Sequence, residues 1–343
     1  MKEYISLDCH KHYSKAERES VAGSRVVKAR IEHAPGQLQS FLRSCPPGNP
    51  VAVEATSNWY WIVDAIEESG REVLLVNPHE AKKRRGKTDK TDDIDVHELN
   101  ILQRCGALPT IWIPPRKIRD QRELTRTRLV IRHYGTLLKN RLHAVFGKYA
   151  LFCPETDMFG KSGRAWIEET LHRLPRETLL VTLLQLQELD LIDQHCAQLE
   201  KRLEEILQIT PTLRRLDTLP HVATILAAAI AFEMGDVHRF RSDECFCSYS
   251  GTTPRVISSG GKTHYGRVRQ DVNTYLKYAF FEAANGVALG AAVNPRPYAN
   301  RLYLSLKERR GSQKAKGAVA RHLAQAAYFM ELHQENYRDP AIR

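Results

Sequence analysis

No stretch of this 343-residue chain is apolar enough to cross a bilayer. The longest mostly apolar run, Val222 to Phe232, falls well short of the roughly 20 residues that a spanning helix needs. The opening MKEYISLDCHKHYSK lacks the apolar core of a signal peptide. Cysteine is scarce and unpatterned. The thiols Cys9, Cys45, Cys105, Cys153, Cys196, Cys245 and Cys247 are odd in number and irregular in spacing, which speaks against a disulfide framework and fits a reducing cytoplasm. Cys245-Phe246-Cys247 has no second close pair, so buried thiols are expected there rather than a metal site. Internal repeats and long low-complexity segments are absent too, which sets aside solenoid architectures.

What is present describes an ordinary globular protein with a basic surplus. Hydrophobic residues make up 42% and charged residues 27%, and mean hydropathy is −0.43. Lys and Arg number 51 against 40 Asp and Glu, a net charge of +11 that favours a polyanionic partner. The length suits two or three domains. Tyr4 to Leu7, Arg25 to Ile31, Val51 to Val53 and Glu72 to Val76 read as short strands, with a helix from Asn58 to Glu68 between the last two. They predict an α/β domain over residues 1–115, closed by Pro114-Pro115.

Residues 116–209 change character. Arg116 to Lys148 has helical apolar spacing and ten Lys or Arg against two acids. A second amphipathic helix is expected from Thr178 to Ile209, and the two suit either an antiparallel coiled-coil arm or a bundle core. Residues 210–343 read as compact and mostly helical. A Ser/Gly-rich loop, Pro254 to Gly266, interrupts them, and a basic tail, Lys307 to Lys316, leads to a last helix, Ala318 to Leu332.

The acidic residues carry the chemistry. Asp89, Asp92, Asp93 and Asp95 crowd into "KTDKTDDID" against their mutual repulsion. Asp8 and Glu54 each close an expected strand, and strand ends face the crevice where α/β sheets bind ligands. A hard cation such as Mg²⁺ takes oxygen ligands from several elements, so Asp8, Glu54 and one pair from the acidic run form a candidate metal site. Asp92 and Asp95 are the better pair, because Val96, Leu99 and Leu102 follow Asp95 as a buriable stripe. The competing reading is that these acids only cap a helix.

Asp8, Glu54 and Lys90-Thr91-Asp92-x-x-Asp95 resemble the DEDD motif of the IS110 transposases of bacterial insertion sequences. The likeness runs over nearly the whole chain. Arg122 to Phe146 is similar to that family's basic helix, and "LDTLPHVATILAAAIAFEMGDVHRFRS" with "YSGTTPRVISSGG" is similar to the start of its transposase domain. The resemblance implies an RNase H-like (RuvC-like) N-terminal domain, a helical coiled-coil middle and a mostly helical C-terminal transposase domain. It implies Mg²⁺ held by Asp8, Glu54, Asp92 and Asp95, and a serine nucleophile that "TPRVISSGG" places at Ser259, with Ser258 adjacent and Tyr265 a weaker candidate. Arg255, Lys262, Arg267 and Arg269 surround that serine with charge for phosphate oxygens. Where the family has Pro-Gly-Ile-Gly, this chain departs from it with Pro220-His221-Val222-Ala223.

The resemblance further implies donor and target DNA as partners, guidance by a noncoding bridge RNA, and a homodimer or homotetramer at the nucleoid. Arg122, Arg126, Arg132, Lys139 and Arg141 are the candidates for the RNA backbone, read as a group. A solvated basic face is the plainer alternative for that helix. The expectation is thus a recombinase that joins DNA through phosphoserine. The alternatives are a RuvC-like nuclease that uses water on branched DNA, and an inert nucleic-acid scaffold.

Overall fold

The computed structural model describes residues 3–21, 26–85, 92–269 and 271–340. Internal contacts divide the chain between Ile113 and Pro114 into two compact units.

The first unit is built on a five-stranded sheet of order β3-β2-β1-β4-β5, from β1 (Glu3–Cys9), β2 (Tyr13–Ser20), β3 (Val26–Glu32), β4 (Val51–Glu54) and β5 (Val73–Val76). β1, β2 and β3 pair antiparallel; β4 joins β1 in parallel, and β5 joins β4 likewise. Among the described residues four helices accompany it: α1 (Gln37–Ser44), α2 (Trp59–Glu68), α3 (Pro78–Arg85) and α4 (Asp92–Arg104). Period-two alternation sends Ile5, Leu7, Val51 and Val53 to one face, where they pack with Leu38, Leu42, Ile62 and Ile66 of α1 and α2. Ser6, Asp8, Ala52 and Glu54 therefore face the other way, towards α4. Ser6 Oγ donates to the Val96 carbonyl at 3.0 Å and Asn100 Nδ2 to the Tyr4 carbonyl at 3.1 Å, while Leu99 and Leu102 pack with Ala52 and Val76.

Three of these elements, β2, α1 and α3, escape the sequence reading. β2 (YSKAERES) looks polar because Lys15, Glu17 and Glu19 face α4 instead of an apolar layer. They meet Asp93 at 3.0 Å, His97 at 2.7 Å and Arg104 at 2.6 Å. Arg25, where the second strand was expected to begin, lies outside the described residues, and β3 starts at Val26.

The second unit is helical. Its two longest helices, α5 (Arg116–Lys148) and α7 (Arg176–Ile209), run antiparallel. Arg128 meets Glu200 at 2.6 Å, Arg132 meets Asp193 at 2.9 Å, and the Tyr149 hydroxyl lies 2.9 Å from Thr178 Oγ1. Gly135 lets the helices approach, since a Cβ there would fall 3.2 Å from Ile192. α6 (Lys161–Thr170) closes one end, with Ile167 joining Leu142, Phe146, Leu186 and Leu189 in a small core.

The remaining helices, α8 (Pro211–Leu216), α9 (Thr224–Met234), α10 (Asp243–Tyr249), α11 (Thr274–Gly290), α12 (Tyr298–Arg310) and α13 (Ser312–His333), share the largest core. α9 (TILAAAIAFEM) is apolar on nearly every side and is buried accordingly. The expected basic tail is helical: Gly311, at φ 83°, merely separates the end of α12 from the start of α13. Between α8 and α9, His221 has φ 56°, the left-handed conformation a glycine would adopt freely. Its ring rests on Gly286 and Gly290 of α11, where an added Cβ would lie 2.9 and 3.2 Å from it. The turn thus keeps a glycine-like backbone at His221, with glycines on the helix opposite making room for the side chain.

The segment expected as a loop, Pro254 to Gly266, is a β-hairpin of β6 (Pro254–Ser259) and β7 (Lys262–Val268). Gly260 and Gly261 have φ 56° and 77°, and a two-residue type I′ turn needs positive φ at both central positions. Val256, Ile257 and Tyr265 on its arms are residues that favour strands. No helix among the described residues is long and apolar enough to cross a membrane.

Candidate metal centre and nucleic-acid surfaces

β1 and β4 are parallel neighbours with Leu7 opposite Val53, so the next residues, Asp8 and Glu54, end side by side on the face that α4 covers. They are 7% and 8% exposed. On α4 the stripe Val96, Leu99 and Leu102 is buried, which turns Asp92 and Asp95, one turn earlier, towards the same strand ends. All the acids of the first turn also gain from the helix dipole, so end-stabilisation and clustering act together.

Asp8 registers the crowding. Burial is the largest cause pushing its carboxyl from 3.8 to about 6; His10 opposes it, and the charges of Glu54, Asp95 and Asp92 add to it. The structure therefore brings the four expected carboxylates into one electrostatic neighbourhood. Asp93 points elsewhere, to Lys15 at 3.0 Å, and that ion pair lowers its pKa. Asp89, with the rest of Lys87 to Thr91, lies outside the described residues.

His10 is a member of this cluster that sequence reasoning missed. Its Nε2 lies 3.3 Å from Asp8 Oδ2 and 3.3 Å from Asp92 Oδ2. Its ring centroid is 4.7 Å from that of Tyr13, whose hydroxyl donates to Asp92 Oδ2 at 2.8 Å. Asn58 Nδ2 donates to the carbonyls of His10 and Lys11 at 2.8 and 3.2 Å, tying the loop after β1 to the loop after β4. The available signal was position: His10 stands two residues beyond Asp8. Buried carboxylates from two strands and half-buried ones from a helix, with an imidazole between Asp8 and Asp92, fit a divalent ion.

In the second unit Ser259 ends β6 and Lys262 opens β7 as its direct cross-strand partner, both exposed beside the Gly260-Gly261 turn. Arg255 and Arg267 are exposed on the same hairpin. Arg269 pairs with Asp271, Nε to Oδ1 at 3.0 Å. Ser258 sits one position back, opposite Thr263, and Tyr265 is 72% exposed.

The basic helix needs correction. Arg122 is only 6% exposed and donates to the carbonyls of Phe232 and Glu233 at 2.9 and 3.2 Å. It is a core residue of the α5–α9 packing and presents nothing to a nucleic acid. Arg126 grips the fully buried Glu233 carboxylate with two bonds, 2.7 and 3.0 Å, and Asn273 completes that site at 2.8 Å. The cause is helical spacing: Arg119, Arg122 and Arg126 share one face, and that face is turned inward. Arg132 and Arg141 are exposed, the first paired with Asp193, and Lys139 lies 5.1 Å over the Phe159 ring. Among the cysteines, Cys247 is buried and its thiol is pushed up to about 11, whereas Cys245 is exposed.

Residues 5–150 match the profile of the DEDD transposase domain of the IS110 type, and residues 213–300 match that of the transposase IS116/IS110/IS902 family. The chain is 24% identical to a "Probable family 20 transposase" of Pseudomonas aeruginosa, over 91% of this chain and 92% of the relative. It is 25% identical to the transposase for insertion sequence element IS1328 of Yersinia enterocolitica, over 76% of each. It is 26% identical to the transposase for insertion sequence element IS1111A of Coxiella burnetii, over 92% of this chain and 86% of the relative. With both profiles matched and relatives aligned over most of their length, the chain belongs to the IS110 family of DEDD transposases, DNA-cutting and rejoining enzymes whose DEDD domain implies a divalent metal.

Proposed function

We propose that this transposase is a Mg²⁺-dependent recombinase that joins DNA through a phosphoserine at Ser259. The observation that carries the metal-dependent part of the reading is the convergence of Asp8, Glu54, Asp92 and Asp95 at the ends of β1 and β4 under α4, in a sheet of order β3-β2-β1-β4-β5, and the exposed Ser259 beside Lys262 at the hairpin turn supports the phosphoserine part. That order, with three antiparallel strands followed by two parallel ones, supports an RNase H-like, RuvC-like unit. Asp8, Glu54, Asp92 and Asp95 would hold the metal, which supplies charge for the phosphate oxygens. Ser259 Oγ forms a bond to phosphorus while a phosphorus–oxygen bond to a deoxyribose breaks, and the serine proton leaves with the displaced hydroxyl. A hydroxyl of the partner strand then reverses the exchange, so the diester is restored without ATP. Lys262, across the turn from Ser259, neutralises phosphate charge beside the nucleophile, and Arg255, Arg267 and Arg269 extend that surface.

The further partners follow the same reading: donor and target DNA, a bridge RNA that selects them by base pairing, and a homodimer or homotetramer acting at the nucleoid. Arg132, Lys139 and Arg141 remain as the RNA-backbone surface once Arg122 is assigned to the core and Arg126 to its ion pair with the buried Glu233. A hydrolytic RuvC-like nuclease would use the same carboxylates with water in place of Ser259, and the metal cluster alone favours neither.

A denaturing gel separates the two. Purified protein, Mg²⁺, labelled element-junction DNA and RNA from the element's flanks should yield a covalent protein–DNA adduct that Ser259→Ala abolishes. Cleavage without an adduct in either protein would establish the hydrolytic enzyme. An adduct that survives Ser259→Ala would move the nucleophile to Ser258 or Tyr265.

A further inference from the structure

The His10 imidazole has no role in the four-carboxylate reading, yet its Nε2 points into the cluster. That atom is buried and accepts or donates no hydrogen bond of normal geometry, although two carboxylate oxygens lie 3.3 Å away. The nitrogen and one oxygen each of Asp8 and Asp92 all lie within 4.8 Å of one another. Donors bound to one ion at about 2.1–2.4 Å can be separated by at most about twice that length, so this spacing is that of a shared coordination sphere. The ring does not hang freely: Tyr13 packs against it, and Asn58 holds the His10 carbonyl. Tyr13 also donates to the Asp92 oxygen that faces the imidazole, the outer-shell arrangement that orients metal ligands.

We infer that His10 is a metal ligand, its Nε2 joining Asp8 and Asp92 around one divalent cation. This rests on the reading of the carboxylate cluster as a metal centre and adds a nitrogen donor to it. The consequence is a changed metal preference. Mg²⁺ demands oxygen ligands, whereas Mn²⁺ accepts carboxylate and imidazole together and stands on the rising affinity series for nitrogen donors. The centre should therefore favour Mn²⁺ over Mg²⁺ more than an all-oxygen site does.

The test uses the full-length protein with Mn²⁺ itself as the probe. Pulsed electron paramagnetic resonance of the bound ion should show ¹⁴N modulation from a coordinated imidazole. Wild-type protein labelled with ¹⁵N-histidine should change that pattern without any substitution. His10→Ala should remove the modulation and His12→Ala, in the same loop, should keep it. Loss of an outer-shell partner already weakens metal binding roughly 10–100-fold, so His10→Ala should raise the Mn²⁺ Kd at least about tenfold and shift the Mg²⁺ value less. Bound Mn²⁺ with no nitrogen modulation in the wild type would overturn the assignment of His10 while leaving the carboxylate site standing. Modulation that survives His10→Ala would do the same. Failure of the wild type to bind Mn²⁺, or equal binding by Asp8→Asn, would instead remove the metal centre on which the inference rests.

Discussion

Replacing Asp8 by asparagine should stabilise the metal-free protein and abolish its stabilisation by metal. Asp8 is 7% exposed, and its carboxyl titrates at about 6 instead of 3.8. Each pKa unit corresponds to about 1.4 kcal/mol, so keeping Asp8 ionised in that cluster costs the folded state on the order of 3 kcal/mol above pH 6. The asparagine carries no charge, and its amide can donate to the neighbouring carboxylates, so much of that cost should disappear. The pH dependence has a definite sign. Folded Asp8 keeps its proton up to about pH 6, whereas the unfolded residue loses it near 3.8. Its contribution to stability is therefore complete below 3.8 and is lost as pH rises through 6. In EDTA the Asp8→Asn protein should unfold at higher urea than wild type at pH 7.5, and the gap should narrow at pH 5. Tryptophan fluorescence is a suitable signal, since Trp59, Trp61 and Trp112 lie in the first unit and only Trp166 in the second. Saturating Mn²⁺ should reverse the ranking: a ligand at 100 times its Kd stabilises by about 2.7 kcal/mol, and only the wild type should gain it. An asparagine variant that is less stable in EDTA at pH 7.5, or that gains as much from Mn²⁺, would refute the argument.

Four further outcomes are expected. Asp92→Ala and Asp95→Ala should abolish Mg²⁺-dependent cleavage, while Asp93→Ala, which loses only an exposed pair with Lys15, should leave the cleavage rate nearly unchanged. Glu233→Ala should destabilise the second unit by about 3–5 kcal/mol in urea titrations, because the arginines that face this buried carboxylate lose their counter-charge. Gly261→Val forces a β-branched residue to φ 77°; it should reduce adduct formation in the gel assay while leaving Mn²⁺ affinity untouched. His322 lies tilted against the Tyr298 ring, and burial lowers its pKa, so the unfolded imidazole takes up a proton near pH 6.5 that the folded one refuses. Thermal stability should accordingly fall as pH drops from about 7 to 5, and His322→Gln should flatten that dependence.

Much of the candidate centre was readable because it obeys strict periodicities. Apolar alternation in "YISLDC" and "VAVEAT" already places Asp8 and Glu54 on one side of their strands. The Val96, Leu99 and Leu102 stripe likewise orients Asp92 and Asp95 on theirs. β2 was illegible for the opposite reason. Its inward charges are matched by Asp93, His97 and Arg104, residues some 80 positions away whose proximity no local pattern reports. The hairpin around Ser259 looked like a loop because its Ser and Gly content masked Val256, Ile257 and Tyr265, and its apolar side chains are exposed rather than alternating over a core. His10 was overlooked because a histidine after a strand has no partner until the sheet and α4 supply one.

By itself, then, the sequence determined which residues could serve: the carboxylates at two strand ends and one helix start, the Ser-Gly-Gly turn, and the long basic helix. Those follow from residue type and spacing, which act locally. Tertiary structure alone decided how charge is used. Burial and distance set a charge's energy, and both depend on which elements meet. They raised Asp8, drew His10 between Asp8 and Asp92, and turned Arg122 and Arg126 from a presumed nucleic-acid surface to the buried end of α9.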